Sequence, residues 1–163
     1  MDKFIETKIL TVLAATLATI KQYCAYQERC HSEVRNKLLE LGCYGEDLEA
    51  AIGLLIEENF LNEERFAIAF AGGKFRMQSW GKVKIRLHLK QKQVSEYCIG
   101  KGLKSIDDND YYNRLKALYE KKEQALDSEK NEWRKRQKIT AYLLQKGYES
   151  DLIQQVWNSD ESM

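Results

Sequence analysis

A pattern that recurs roughly every fifty residues constrains this chain more than any other feature. Three stretches can be laid on one another: VRNKLLELGCYGEDLEAAI from Val34, IRLHLKQKQVSEYCIGKGL from Ile85 and ITAYLLQKGYESDLIQQVW from Ile139. Taking Gly42, Gln93 and Gly147 as anchors, 51 residues separate the first two and 54 the last two. Four residues before each anchor stands Leu38, Leu89 or Leu143, and eight before stands Val34, Ile85 or Ile139. Ten after stands Ile52, Leu103 or Trp157. A unit of this length cannot bury its apolar face alone, so copies stack and share a core. A stacked array offers an extended surface rather than one pocket, and that points to a binding protein.

Composition agrees with an uninterrupted helical chain. Proline is absent from all 163 residues, so no helix is broken by a missing N–H. The formal charge of +1 does not by itself imply nucleic-acid binding, but its distribution is segmented. From Lys74 to Lys104, nine basic residues face Glu96 alone, whereas from Glu46 to Arg65 seven acids face one arginine. Such segmentation suits docking on a charged or striped partner. Cys24, Cys30, Cys43 and Cys98 have no CxxC spacing, and with His31 and His88 they form no zinc-finger pattern. They read as reduced cysteines packed as small hydrophobes, with no metal expected. The uncharged run Ile9 to Ile20 has the look of a signal-peptide core. Its threonines, and the helical spacing of Leu10, Leu13, Leu17, Ile20 and Cys24, favour an amphipathic first helix in a cytoplasmic protein.

Helix boundaries are marked along the chain. Ser32 reads as an N-cap with Gly42 as the stop, and Asn62 as a cap followed by Glu63 and Glu64. Ser95, Asp107 or Asp108, Ser128 and Ser150 mark further starts. About nine helices in three sets of three result, dividing the chain into 1–61, 62–106 and 107–163. The expectation is an all-α fold of three tandem three-helix repeats stacked as an array. One segment resists. KVKIRLHLK, from Lys82 to Lys90, alternates as a strand would. As a helix it carries two apolar stripes on opposite sides, Val83 with Leu87 and Ile85 with Leu89, which suits a central helix packed between two neighbours. The helical reading is adopted because the equivalent segments of the other copies do not alternate.

The stretch FLNEERFAIAFAGGKFRMQSWGKVKIRLHLKQKQVS, from Phe60 to Ser95, resembles the signature of the RecX family, regulators of the RecA recombinase. Leu61, Asn62, Arg65, Phe66, Ala67 and Phe70 carry it, followed by Lys74 and Arg76, then Gly81, Lys82, Ile85 and Leu89. ERCHSEVRNKLLELG and KITAYLLQKGYESDLIQQVW are similar to the family's flanking repeats. Three positions depart from its pattern: Ser79 and Gln93 stand where glycine is usual, and His88 where an acid is frequent. The resemblance implies that the three three-helix repeats form an elongated, curved array, binding along the groove of a RecA–DNA filament, with strand exchange, ATP hydrolysis and co-protease activity restrained.

Lys82, Lys84, Arg86, Lys90 and Lys92, joined by Lys74 and Arg76, are the candidate docking surface for acidic protein faces or DNA phosphates. Arg134, Arg136 and Lys138, beside Trp133, form a second basic cluster and a further candidate contact, able to stack on a base or grip a carboxylate, although the tryptophan itself reads as core and the charges as exposed. Phe66, Phe70 and Trp157 read as repeat core, while Trp80 sits in a loop. Tyr111, Tyr112 and Tyr119 read as packing between repeats. No Gly-Lys-Ser/Thr phosphate loop and no GxSxG occurs, so neither catalysis nor a cofactor is expected. The expected partners are the RecA nucleoprotein filament and, through the basic patches, single- or double-stranded DNA. No membrane partner is expected, and the protein should be a monomer. The alternative is a stand-alone DNA-binding module of helix-turn-helix character. It fits less well, because the third helix of the first repeat is rich in acids (Glu46, Asp47, Glu49, Glu57, Glu58).

Overall fold

A computed structural model describes residues 3–162, without the side chains of residues 4–11. Every regular element in it is an α-helix: α1 (Lys3–Tyr26), α2 (His31–Glu40), α3 (Gly45–Glu57), α4 (Glu63–Gln78), α5 (Lys82–Gln91), α6 (Glu96–Lys104), α7 (Asp108–Ala125), α8 (Glu132–Lys146) and α9 (Ser150–Glu161). The chain is an all-α array of three-helix repeats, and helix-on-helix packing runs within each triplet. The anchor pattern marks the core: Val34, Leu38, Ile85, Leu89, Ile139 and Leu143 are each at most 2% exposed. On α1, Ile20 and Cys24 are buried as the spacing requires, and the Leu10 side chain lies outside the described residues.

Capping explains most boundaries. Asn62, Ser95 and Asp107 accept from the backbone N–H groups of Arg65, Cys98 and Asp110, satisfying donors that a helix start leaves free. Two expected caps are different. Ser32 lies inside α2, whose N-cap is Cys30, and its hydroxyl instead donates to the Lys92 carbonyl at 2.8 Å. Asn131, not Ser128, caps α8, its side chain accepting from Arg134 N–H. Ser150 is the first residue of α9, with Glu149 at the N-cap. Ser79 and Gln93 both take left-handed backbone, φ 57° and 62°, so the turns that glycine normally makes are made here without it.

In the middle triplet α4 and α6 pack directly on each other. Gly102 permits it, since a Cβ there would fall 2.6 Å from the Ala67 carbonyl oxygen. With α4 and α6 in mutual contact, α5 lies across them and is covered on one side only, through Ile85 and Leu89. The expectation of a helix buried between two neighbours is therefore corrected: Val83 and Leu87 are each 54% exposed.

The buried side chains form two cores. One belongs to the first triplet, around Ile20, Val34, Leu38, Leu55 and Leu61. The other is continuous through the second and third triplets and also takes in Cys30. Adjacent triplets meet in the same way at both joints. The N-terminus of one triplet's second helix rests on the turn between the second and third helices of the next.

Candidate functional site

The chemistry concentrates on α5. Its N-terminus carries no acid in the first turn and no side-chain cap, and Lys82 stands at the positive end of the helix dipole. Groups from the third triplet serve it instead. Gly81 N–H donates to the Lys146 carbonyl at 2.8 Å, Val83 N–H to the Gly147 carbonyl at 2.9 Å, and Lys82 N–H to the Tyr111 hydroxyl at 2.9 Å. Tyr111 in turn donates to the Glu149 carboxylate, and burial pushes its own pKa well up. Tyr111 thus holds two triplets together, the packing role its position suggested. The loop before α5 is held as firmly. Arg114 donates to the Ser79 hydroxyl at 2.8 Å, and the Tyr148 hydroxyl donates to the Ser79 carbonyl at 2.9 Å.

On an exposed helix, residues four apart form rows. The candidate cations of α5 fall into two such rows on opposite flanks. Lys82, Arg86 and Lys90 form one. Lys82 pairs with Asp108 at 3.6 Å, while Arg86 and Lys90 share Glu96 at 2.7 and 3.1 Å. The Glu96 carboxyl is held below its ordinary range chiefly by its hydrogen bond to Lys90. Lys84, His88 and Lys92 form the other row, facing Trp80 and Phe70. Lys74 and Lys84 lie over the Trp80 ring at 4.8 and 4.6 Å, and the His88 ring is 4.5 Å from it. Lys92 lies over Phe70 and pairs with Glu33 at 2.8 Å, a hydrogen bond that raises its pKa. Burial lowers the His88 pKa, and the neighbouring Lys84, Lys74 and Lys92 lower it further. Among the described residues Lys74 and Lys84 have no carboxylate partner, so this flank keeps its positive charge. Arg76 is exposed at the end of α4, where its guanidinium folds back over Gly72.

Val83 and Leu87 form the crest between the rows. The sequence displayed them as a stripe, but the alternation of KVKIRLHLK could not tell an exposed stripe from a buried one. Glu96 and Asp108 were missed as neutralising groups because they come from other helices.

The second cluster is arranged differently. Trp133 is 65% exposed rather than core, on the open side of α8. Arg136 lies 3.8 Å over the Trp157 ring and pairs with Glu161, and Lys138 pairs with Glu129 at 2.9 Å. Arg134 is exposed. The remaining signature residues are structural. Leu61, Phe66, Ile85 and Leu89 are buried, and Phe66 and Phe70 stack at 5.7 Å. Arg65 ties α4 to the first triplet through Glu28 at 2.5 Å. Among the described residues no group of histidines, cysteines and carboxylates is placed to hold a metal, and no helix is long and apolar enough to cross a membrane.

Triplets of helices repeated along the chain, with a cation-flanked helix on the outside of the middle one, define a helical repeat protein. The comparisons make the class specific. The family model for the RecX second three-helix domain matches residues 62–103, and that for the third matches residues 108–157. The regulatory protein RecX of Clostridium perfringens (strain 13) is 34% identical over 151 residues, covering 92% of this chain and 66% of that protein. RecX of Thermotoga maritima is 27% identical over 134 residues, 82% of this chain and 76% of its own. The crystal structure of RecX from Lactobacillus salivarius superposes with a TM-score of 0.86 at 22% identity, covering 94% of this chain and 99% of that one. A second RecX crystal structure gives 0.83 at 23%, covering 97% and 78%. The chain belongs to the RecX family. It spans about two thirds of the length of the C. perfringens protein.

Proposed function

We propose that this protein regulates the RecA recombinase, lying along the groove of the RecA–DNA filament, touching neighbouring subunits and restraining strand exchange, ATP hydrolysis and co-protease activity. The observation that carries the reading is α5, which holds two rows of pre-positioned cations on the outside of the middle triplet. Lys74, Arg76, Lys82, Lys84, Arg86, Lys90 and Lys92 are the contact residues, with Arg134, Arg136 and Lys138 as a second contact on the last triplet. The units are 1–61, 62–106 and 107–163, and the elongated, curved array follows the filament as a cytoplasmic monomer without catalysis of its own. DNA phosphates are met on the Trp80 flank, where Lys74 and Lys84 have no carboxylate competing for them.

The stand-alone DNA-binding alternative is less favoured. The charge sits on second helices, and base reading in three-helix modules uses the third. The test is DNA-dependent ATP hydrolysis by RecA of the same source. Substoichiometric protein slows it and shortens filament lifetime. Saturating protein that leaves both unchanged refutes the reading, and a footprint at a defined duplex sequence in the absence of RecA establishes the alternative.

A further inference from the structure

The crest of α5 is apolar and the cleft beside it is cationic. Val83 and Leu87, one turn apart, are each 54% exposed, although Ile85 and Leu89 on the same short helix are fully buried. On the Lys82–Arg86 flank an open cleft of about 500 Å³ runs between α5 and α6. Lys82, Arg86 and Lys104 supply its charge, and Gly100 and Leu103 supply its floor. Two acids reach it. Glu149 is engaged by the Tyr111 hydroxyl, and Asp108, with its side chain 96% exposed, pairs with Lys82 from the rim. Glu96 does the same for Arg86 and Lys90 from α6, with its side chain 62% exposed. Exposed ion pairs of this kind are weak and exchange readily.

We propose that α5 docks against an acidic, apolar segment of a protein partner, with apolar side chains seated on Val83 and Leu87 and a partner carboxylate entering the Lys82–Arg86–Lys104 cleft in place of Asp108 or Glu96. This rests on the reading of the chain as a filament-binding protein, and it assigns the crest of α5 to the protein subunits of that filament rather than to its nucleic acid. Charge complementarity selects the partner. Both flanks of the crest are cationic, so the matching surface is apolar at its centre and acidic at its rim. A sugar-phosphate backbone offers Val83 and Leu87 little apolar surface to bury. Protein interfaces commonly pair an apolar centre with a polar rim, and the crest with its two cationic flanks has that layout.

The test uses the whole chain and two variants. Val83→Ser/Leu87→Ser changes two exposed side chains, and Glu96→Gln releases Arg86 and Lys90. Binding to immobilised RecA filament is measured directly, binding to a labelled single-stranded oligonucleotide is measured separately by anisotropy, and circular dichroism checks the fold. The double variant loses filament affinity by about tenfold or more while keeping its oligonucleotide affinity. Glu96→Gln binds the filament about two- to threefold tighter. Equal filament binding by the double variant and the wild type overturns the proposal. So does a parallel loss of oligonucleotide binding, which places nucleic acid on the crest. So does a concentration-dependent self-association of the wild type that the double variant lacks, which makes a second copy the occupant. Filament binding without any effect on ATP hydrolysis removes the regulatory reading and leaves the docking proposal standing. Wild-type protein that does not bind the filament at all removes both.

Discussion

The two joints of the array occupy equivalent places and are built from different material. Between the second and third triplets, α5 has its N–H groups capped by the neighbour's backbone, at Lys146 and Gly147, and by Tyr111. Gly81 and Gly147 lie so close that a Cβ on Gly81 would fall on the Gly147 carbonyl, and the two triplets share one core. Between the first and second triplets the equivalents of those glycines are Cys30 and Gln93. There α2 is served within its own triplet, Cys30 N–H donating to Glu33, and the joint is made by side chains. Ser32 donates to the Lys92 carbonyl, Lys92 pairs with Glu33, Arg65 with Glu28, and His31 approaches Glu63. The first triplet keeps a separate core. Backbone-to-backbone bonding at close approach leaves little freedom, while the partly buried side-chain ion pairs of the first joint tolerate a wider range of geometries and are weakened by salt. The chain is therefore expected to behave as a rigid double triplet carrying a first triplet on a softer joint.

The largest effect expected is at the tight joint. Gly81→Ala puts a methyl group onto backbone that cannot move aside and should cost about 3 kcal/mol in urea unfolding. Cys30→Ala, at the equivalent place, removes one sulfur from a buried site and should cost about 1 kcal/mol. Equal costs would erase the distinction between the joints. Next come the hydroxyls. Tyr111→Phe leaves the Lys82 N–H without its acceptor and Glu149 without its donor, for about 2 kcal/mol. Ser32→Ala removes one half-buried hydrogen bond, for about 1 kcal/mol. Hydrogen exchange then locates the change. Ser32→Ala should speed exchange in α2 and leave α8 and α9 as they were, whereas Tyr111→Phe should loosen α5 and α9 together.

These contrasts also show how far the sequence could be read. The repeat fixed the triplets, because Leu38, Leu89 and Leu143 recur at one spacing and all three are fully buried. Asn62, Ser95 and Asp107 announced their helices because a cap acts within three residues. Ser32 looked like another cap, but its partner is 60 positions away, and no local pattern encodes that. The candidate cations were legible as a cluster. Their division into a flank whose cations all have carboxylate partners and a flank where Lys74 and Lys84 have none was not, since it depends on where Glu96 and Asp108 arrive from other helices. Trp133 read as core because tryptophans usually are, yet the open side of α8 leaves it exposed.

A smaller effect separates the two residues that replace glycine. Gln93 holds left-handed backbone with its side chain exposed, so Gln93→Gly should relieve strain and stabilise the first joint by about 0.5 kcal/mol. Ser79 pays the same strain but its hydroxyl accepts from Arg114, so Ser79→Gly should destabilise, by about 1 kcal/mol. Opposite signs in a thermal melt support the difference between the joints, and a shared sign removes it.

The smallest effect is set by pH and reaches one flank of α5. His88 packs against Trp80 from α5 while Lys74 faces it from α4 and Lys84 and Lys92 from its own helix, with Glu33 reaching only as far as Lys92. Its folded pKa lies below the unfolded value of about 6.5, so the unfolded chain binds the proton more tightly. The stability tied to neutral His88 is complete above about pH 6.5 and is lost as pH falls towards the folded pKa. Alkali cannot separate the joints, because the raised pKa values of Lys92 at the first and of Tyr111 and Tyr148 at the second all act above about pH 10. Acid reaches the Trp80 flank of α5. Between pH 7 and 5 the midpoint of unfolding should drift down, and hydrogen exchange should quicken first around Trp80 and Lys84. His88→Gln should flatten that drift, and an unchanged slope in the variant would show that the proton is taken up elsewhere.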